Sequence, residues 1–265
     1  MRTRQRRTPA VSRQRSSYRL LLTVIGLAVG LTSVSCSGEA ATDNSQLTVF
    51  AASSLTETFT ELESAFEADH PGVDVVISFG SSGTLTEQIT AGAPADVVAT
   101  ADDTSMGVVA DAQLLAGDPL PFASNTMVIA TPPNNPAGVE SVADLASVDF
   151  VMCDPSAPCG AAAERILSRL PTAPQPRSLE PDVKSVLTKV TLDEVDAGLV
   201  YVTDAIAAGD AVDTVAIPAD VNVINAYYIA TVKDAPSPDL AADWISLVNS
   251  QAGQSVLEEA GFGPP

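Results

Sequence analysis

The chain has 265 residues, enough for two domains, and carries 33 acidic against 13 basic residues for a net charge of −20. Seven of the basic residues are arginines within positions 2–19, so beyond position 36 six basic residues face all 33 acidic ones, a formal charge of −27. That balance argues against nucleic acid and anionic membrane surfaces as partners, and it means that an anionic ligand would have to be held by local dipoles against an opposing long-range field.

In chain order, the arginines of 2–19 precede an apolar run at 20–34, and Cys36 follows. Fifteen residues fall short of the about 20 that cross a bilayer core. A basic start, a short apolar stretch and small residues at its end mark 1–36 as an export signal rather than a retained anchor. Its end, Ser33-Val-Ser-Cys36, resembles a bacterial lipoprotein box. That implies a lipidated Cys36 and a protein tied to the outer face of the cell membrane, contacting the membrane only through that anchor. Ser33 stands where the box prefers leucine, so release by the ordinary signal peptidase is the alternative. Residues 37–45 read as a polar tether.

Leu47-Thr-Val-Phe50 is a short buried strand, and Leu55, Phe59, Leu62 and Phe66 recur at helical spacing behind it. Ser54 and Glu57 have the S-x-x-E spacing of a capping box, which predicts a helix starting at the serine pair and exposing free N–H groups to a crevice. His70-Pro-Gly72 ends that helix, and 73–79 is the next strand. Gly80-Ser-Ser-Gly83 reads as a tight turn, with Thr84 and Glu87 capping a second helix in the same way. A strand at 97–100 and a helix at 102–112 follow. Further strands are expected at 126–131, 150–152, 198–202, 214–217 and 227–232. Helices are expected at 142–146, 161–170, 183–195, 204–208, 238–249 and 254–260, with Gly261 as the stop. Alternation of this kind predicts an α/β fold with mostly parallel sheets and helices on both faces.

Four stretches resemble the periplasmic molybdate-binding proteins of ABC importers: Phe50-Ala-Ala-Ser-Ser-Leu55, Phe79-Gly-Ser-Ser-Gly-Thr-Leu85, Gly92-Ala-Pro-Ala-Asp96 and Gly198-Leu-Val-Tyr-Val-Thr-Asp204. The resemblance covers nearly all of 46–263 in the same order. It implies the two-lobed periplasmic-binding-protein fold (type II), with one lobe formed by 46–125 and 229–265 and the other by 126–228. The crossover strands would be 126–131 and 226–232. It also implies an oxyanion, molybdate or tungstate, held between the lobes by Ser54, Ser82 and Tyr201 hydroxyls and by backbone N–H groups of Cys159 and Val183. Membrane subunits of an ABC importer would be the partner, the binding protein would be a monomer, and no cofactor is expected. Ser53, commonly alanine in relatives, and the 153–159 loop depart from the family pattern.

These residue types suit the task. A tetrahedral dianion offers only acceptors, so a dry site must present donors, and Ser, Tyr and helix-start N–H groups do so without a buried ion pair that would resist release. A pocket without acceptors also strands the proton of hydrogen phosphate, at about 1–3 kcal/mol. Asp154 or Asp182 turned inward would undo that discrimination. Taken alone, Ser54 and Ser82 could be helix caps and Tyr201 a core tyrosine. Cys153 and Cys159 could be buried thiols, a disulfide or part of a metal site; no histidine lies near, and an exported chain favours the disulfide. Asp96 and Asp204 read as solvated caps or loop anchors rather than catalytic acids. Sulfate or phosphate binding is the runner-up, and an exported hydrolase using Ser53 or Ser54 is the alternative from another class. The only histidine, His70, falls at the far end of the first helix from those serines.

Overall fold

The structure, a computed structural model, describes residues 45–265. The export signal of 1–36, with the Cys36 lipidation site, lies outside the described residues. No helix among the described residues is long and apolar enough to cross a membrane.

The first half opens with β1 (Ser45–Ala52), a 3-10 turn (Ser53–Leu55), α1 (Thr56–Asp69), β2 (Val73–Gly80), α2 (Ser82–Thr90), β3 (Val97–Thr100) and α3 (Asp103–Asp111). The long strand β4 (Leu120–Thr131) then leads to a 3-10 segment (Val142–Ser147), β5 (Phe150–Cys153), α4 (Pro158–Leu167), β6 (Ser178–Glu180), α5 (Val183–Thr191), β7 (Ala197–Tyr201) and α6 (Val202–Ala208). After β8 (Asp213–Ala216), β9 (Ile224–Thr231) returns to the first half, where α7 (Pro238–Asn249) and α8 (Gln251–Glu259) complete the chain.

The strands run β2-β1-β3-β9-β4-β7-β5-β6, with β8 beside β4. Pairs within the βα units are parallel, β1 with β2 and β3, and β5 with β6 and β7. Every pair that includes β4 or β9 is antiparallel, so the sheet is mixed. Strand β4 is twice as long as the run expected at 126–131, because its first half pairs with β9 and its second with β7 and β8. It thereby passes from one half of the molecule to the other.

Two groups of buried side chains flank that passage. One, around Trp244, Phe59, Phe66, Phe122 and Tyr227, draws on both ends of the described chain, its rings meeting edge to face at 5.5–6.1 Å. A neighbouring group packs Phe50, Leu85 and Met106 on the opposite face of the same strands. The other main core lies wholly between Met127 and Val223. These cores define the first and second lobes.

Several local expectations need correction. Neither capping box forms: α1 starts at Thr56 with no side-chain cap, and α2 starts at Ser82, two residues before Thr84. Gly80-Ser-Ser-Gly83 is therefore not a free turn; its second half is already helix. Helix α4 begins at Pro158, a favoured first helical position, and not at Ala161. Strand β6 had no sequence signal, being three residues long with two of them polar. Asp96 and Asp204 are buried rather than solvated. Asp96 accepts from Thr48 N–H (2.8 Å) and Ser237 N–H (2.6 Å), pinning the start of α7 to β1.

Candidate functional site

In the parallel register of β1 and β2, Ala52 lies opposite Gly80, so the serine pairs that follow, Ser53-Ser54 and Ser81-Ser82, emerge side by side. In the second lobe, β5, β6 and β7 run parallel and release the chain toward α4, α5 and α6. The carboxyl ends of both strand sets thus face one crevice, where open α/β sheets place their ligands.

Ser53, Ser54, Ser81, Ser82, Cys159, Val183 and Tyr201 line one cavity there. All five residues expected to hold an oxyanion are brought together, Ser54 and Ser82 from the first lobe and Cys159, Val183 and Tyr201 from the second. Each is buried, Tyr201 to 1 % exposure and Ser82 likewise. The cavity volume is about 10 Å³, where one water needs roughly 10–15 Å³. The walls from the two lobes therefore stand close together, and a guest the size of an oxyanion is admitted only as they part.

Helix starts surround it. Ser82 is the first residue of α2, Cys159 the second of α4 and Val183 the first of α5, and Ser53 opens the 3-10 turn. First-turn N–H groups have no intrahelical acceptor and carry the positive end of the helix dipole. Cys153 and Cys159 form a disulfide that fastens the first turn of α4 to the end of β5. Gly160 is required there, since a Cβ would lie 2.0 Å from the Asp154 carbonyl oxygen.

The hydroxyls are oriented from behind. Ala101 N–H donates to Ser82 Oγ at 3.0 Å, which leaves the serine proton to be given elsewhere. Asn225 Nδ2 donates to the Tyr201 hydroxyl at 3.0 Å. Ser54 Oγ lies 2.8 Å from the Tyr227 hydroxyl. Burial, with Tyr227, Asp102 and Asp204 adding to it, raises the Tyr201 pKa well above the usual phenol value, so the group stays a neutral O–H.

Among the described residues no cation lines the cavity. Its one acid, Asp182, caps α5 by accepting from Ser185 N–H at 2.9 Å. Asp154 is occupied by Ser156, whose hydroxyl and N–H hold its carboxyl below the ordinary range. Lys184 stands just outside: Nζ is 2.7 Å from Glu57 across the lobes and 3.0 Å from Asp204. Burial pushes Asp204 up to about 6 against the pull of Lys184. Burial also works against the Lys184 ammonium, but Asp204 and Glu57 outweigh it and raise its pKa.

His70 sits at the other end of the 14-residue α1, about 21 Å of helix from the serines, stacked on Phe66 at 4.0 Å and 3.6 Å from Asp243. A serine nucleophile at 53 or 54 therefore has no imidazole beside it. Among the described residues no group of three or more His, Cys, Asp or Glu side chains could hold a metal ion.

Sequence reasoning missed Asn125, Asn225, Tyr227 and the cross-lobe pair of Lys184 with Glu57. The two asparagines did carry a signal. Asn is disfavoured in strands, yet both stand inside strands, Asn225 between Ile224 and Ala226 and Asn125 between the polar Ser124 and Thr126.

The family described as bacterial extracellular solute-binding protein matches residues 47–263. The molybdate-binding protein ModA of Mycobacterium tuberculosis is 43 % identical over 221 residues, covering 83 % of this chain and 85 % of the relative. Among solved structures, the periplasmic molybdate-binding protein of Azotobacter vinelandii superposes with a TM-score of 0.73 at 22 % identity, over 83 % of this chain and 99 % of that one. The sulfate-binding protein SubI of Mycobacterium tuberculosis gives 0.74 at 18 % identity, over 83 % and 87 %. At these identities the structural likeness speaks for the fold alone, and the fold is common to proteins named for two different oxyanions.

Proposed function

The chain belongs to the bacterial extracellular solute-binding protein family, and from that premise we propose that it captures molybdate outside the cytoplasm and hands it to an ABC importer. Relatives named for molybdate support the choice of ligand. The observation that carries the reading is the lining of the cavity: buried hydroxyls and helix-start N–H groups from both lobes converge there and, among the described residues, no cation does.

In this reading Ser54, Ser82 and Tyr201 donate through their hydroxyls, and Cys159 and Val183 through their backbone N–H groups. The anion docks on one lobe, β4 and β9 flex, and the other lobe's donors close over it. Differential affinity for the closed form sets its population. The importer then recognises the closed shape. Tungstate, of nearly the same size, takes the same donors. The binding protein acts as a monomer, tethered through a lipid on Cys36 to the outer face of the cell membrane.

Calorimetric titration with molybdate, tungstate, sulfate and hydrogen phosphate tests the ligand. Molybdate and tungstate are expected to bind far more tightly than the other two, and a sulfate affinity equal to that for molybdate would overturn the assignment. Ser82→Ala is expected to weaken molybdate binding about tenfold or more, the worth of a hydrogen bond to a charged group. Stability should fall by only about 1 kcal/mol, because Ala101 N–H loses its acceptor. Unchanged affinity in that variant would remove Ser82 from the site.

A further inference from the structure

Behind Tyr201 and Ser54 the two strands that join the lobes each carry an asparagine, and the pair lie directly opposite in the ladder, Asn125 on β4 and Asn225 on β9. Both are buried, 3 % and 2 % exposed. Side chains directly opposite in an antiparallel pair share one face of the sheet.

The orientation of each amide follows from its neighbours. Asn225 lies 3.1 Å from the Ala101 carbonyl, which can only accept, so the group facing it is Nδ2. The same nitrogen's second hydrogen goes to the Tyr201 hydroxyl at 3.0 Å. Asn125 Oδ1 accepts from Thr126 N–H at 2.9 Å, a group that can only donate. Its Nδ2 therefore faces Thr203 Oγ1 at 2.8 Å and the Tyr227 hydroxyl at 3.5 Å. Tyr227 can then give its proton to Ser54 and leave the serine proton for the cavity.

We propose that Asn225 is a positioning and specificity-determining residue: by donating to the Tyr201 oxygen from behind, it keeps the phenol proton turned away from the amide and available to a bound anion, a stronger acceptor than the neighbouring neutral Tyr227 hydroxyl, and so keeps the site donor-only. Asn125 stands in the same relation to Tyr227 and Ser54. The inference rests on the oxyanion reading above and says which residues enforce its polarity. A phenol left free at this place could turn and accept, and would then welcome an anion that still carries a proton.

Two features favour this over a plain structural role. The Asn225 amide bridges the lobes, holding Ala101 of the first and Tyr201 of the second, and Ala101 N–H is the group that orients Ser82. One peptide and one amide thus align donors on both walls of the cavity. Asn225 Oδ1, meanwhile, is buried with no hydrogen-bond partner among the described residues. An orphaned acceptor is costly, and an apolar side chain would avoid it, so the position is not optimised for stability.

A double-mutant cycle read by molybdate calorimetry tests the idea, using Asn225→Leu, Tyr201→Phe and the two combined. Each single variant is expected to bind about tenfold more weakly, and the combination no more weakly than Tyr201→Phe alone, because Asn225 acts through the phenol. Multiplying losses, or unchanged affinity in Asn225→Leu, would overturn the inference while leaving the proposed function standing. Should wild-type protein fail to bind molybdate and tungstate, the proposed function falls first and this inference with it. A second measurement does not depend on Asn225→Leu folding. The wild-type minus Tyr201→Phe ultraviolet Raman difference reports whether that phenol donates or accepts. A donor signature with molybdate bound is expected, and an acceptor signature would refute the assignment.

Discussion

Gly83→Ala is expected to weaken molybdate binding by about 5- to 150-fold while leaving thermal unfolding of the ligand-free protein unchanged or slightly raised. Gly83 is the second residue of α2, on the first lobe, and a Cβ there would lie 2.7 Å from the Ser156 carbonyl oxygen of the second lobe. The next nearest atoms stand at 3.8 and 3.9 Å, so nothing within its own lobe resists the methyl group. The clash lies between the lobes, so it is relieved when they part. Overpacking of this kind costs about 1–3 kcal/mol, and charged to closure alone it becomes a loss of roughly 5- to 150-fold in affinity. Alanine is also the better helix former, by about 1 kcal/mol. Calorimetry beside a thermal scan separates the two effects. Full affinity in the variant would show that the lobes close without this contact.

The second large effect concerns stability. Lys184→Met is expected to cost roughly 2–3 kcal/mol at pH 8 and far less at pH 5. Removing one member of a buried ion pair strands the other, and Asp204, fully buried, is the one stranded. The sign follows from its raised pKa. Folded Asp204 holds its proton up to about pH 6, whereas the unfolded chain releases it near pH 4. Its contribution therefore falls as pH rises between those values and is level above them. At pH 5 the carboxyl is mostly neutral in the folded protein, and Lys184 has little charge to answer. Without Lys184 the folded pKa rises further and the decline continues to higher pH. Thermal unfolding of both proteins at the two pH values checks this, and an equal loss at both would refute it. Glu57→Gln separates the cross-lobe contact from the buried one, because Glu57 is half exposed and its removal leaves Asp204 paired.

How far the sequence could be read depended on how local each cause was. Apolar runs such as Val97–Thr100, buried throughout, need no partner to be recognised as strands. The helix starts were misjudged because S-x-x-E spacing is a local rule, and tertiary bonds overrode it. The Ser54 hydroxyl is engaged by Tyr227, 173 residues away, and Glu57 turns from the Ser54 backbone to Lys184, 127 residues away. Of the proposed ligand set, Val183 had no chemistry of its own and came into view only through resemblance to known binding proteins. Asn225 shows the limit from the other side. Its residue type was visible just ahead of the strand expected at 227–232, but its purpose depends on Ala101 and Tyr201, which no spacing rule connects to it.

The first lobe's core unites strands made early with aromatic and aliphatic side chains made last, Trp244, Leu257 and Phe262 among them. While the chain is being synthesised, β1, β2 and β3 have no Trp244 to close over, and their β9 neighbour is more than 120 residues behind. Contacts of such long sequence separation form slowly. The middle segment, whose core is self-contained, can settle on its own, whereas the opening segment stays loose until the final helices arrive. Premature compaction of the leading part is thereby avoided, which would suit any export route that takes the chain before it has folded.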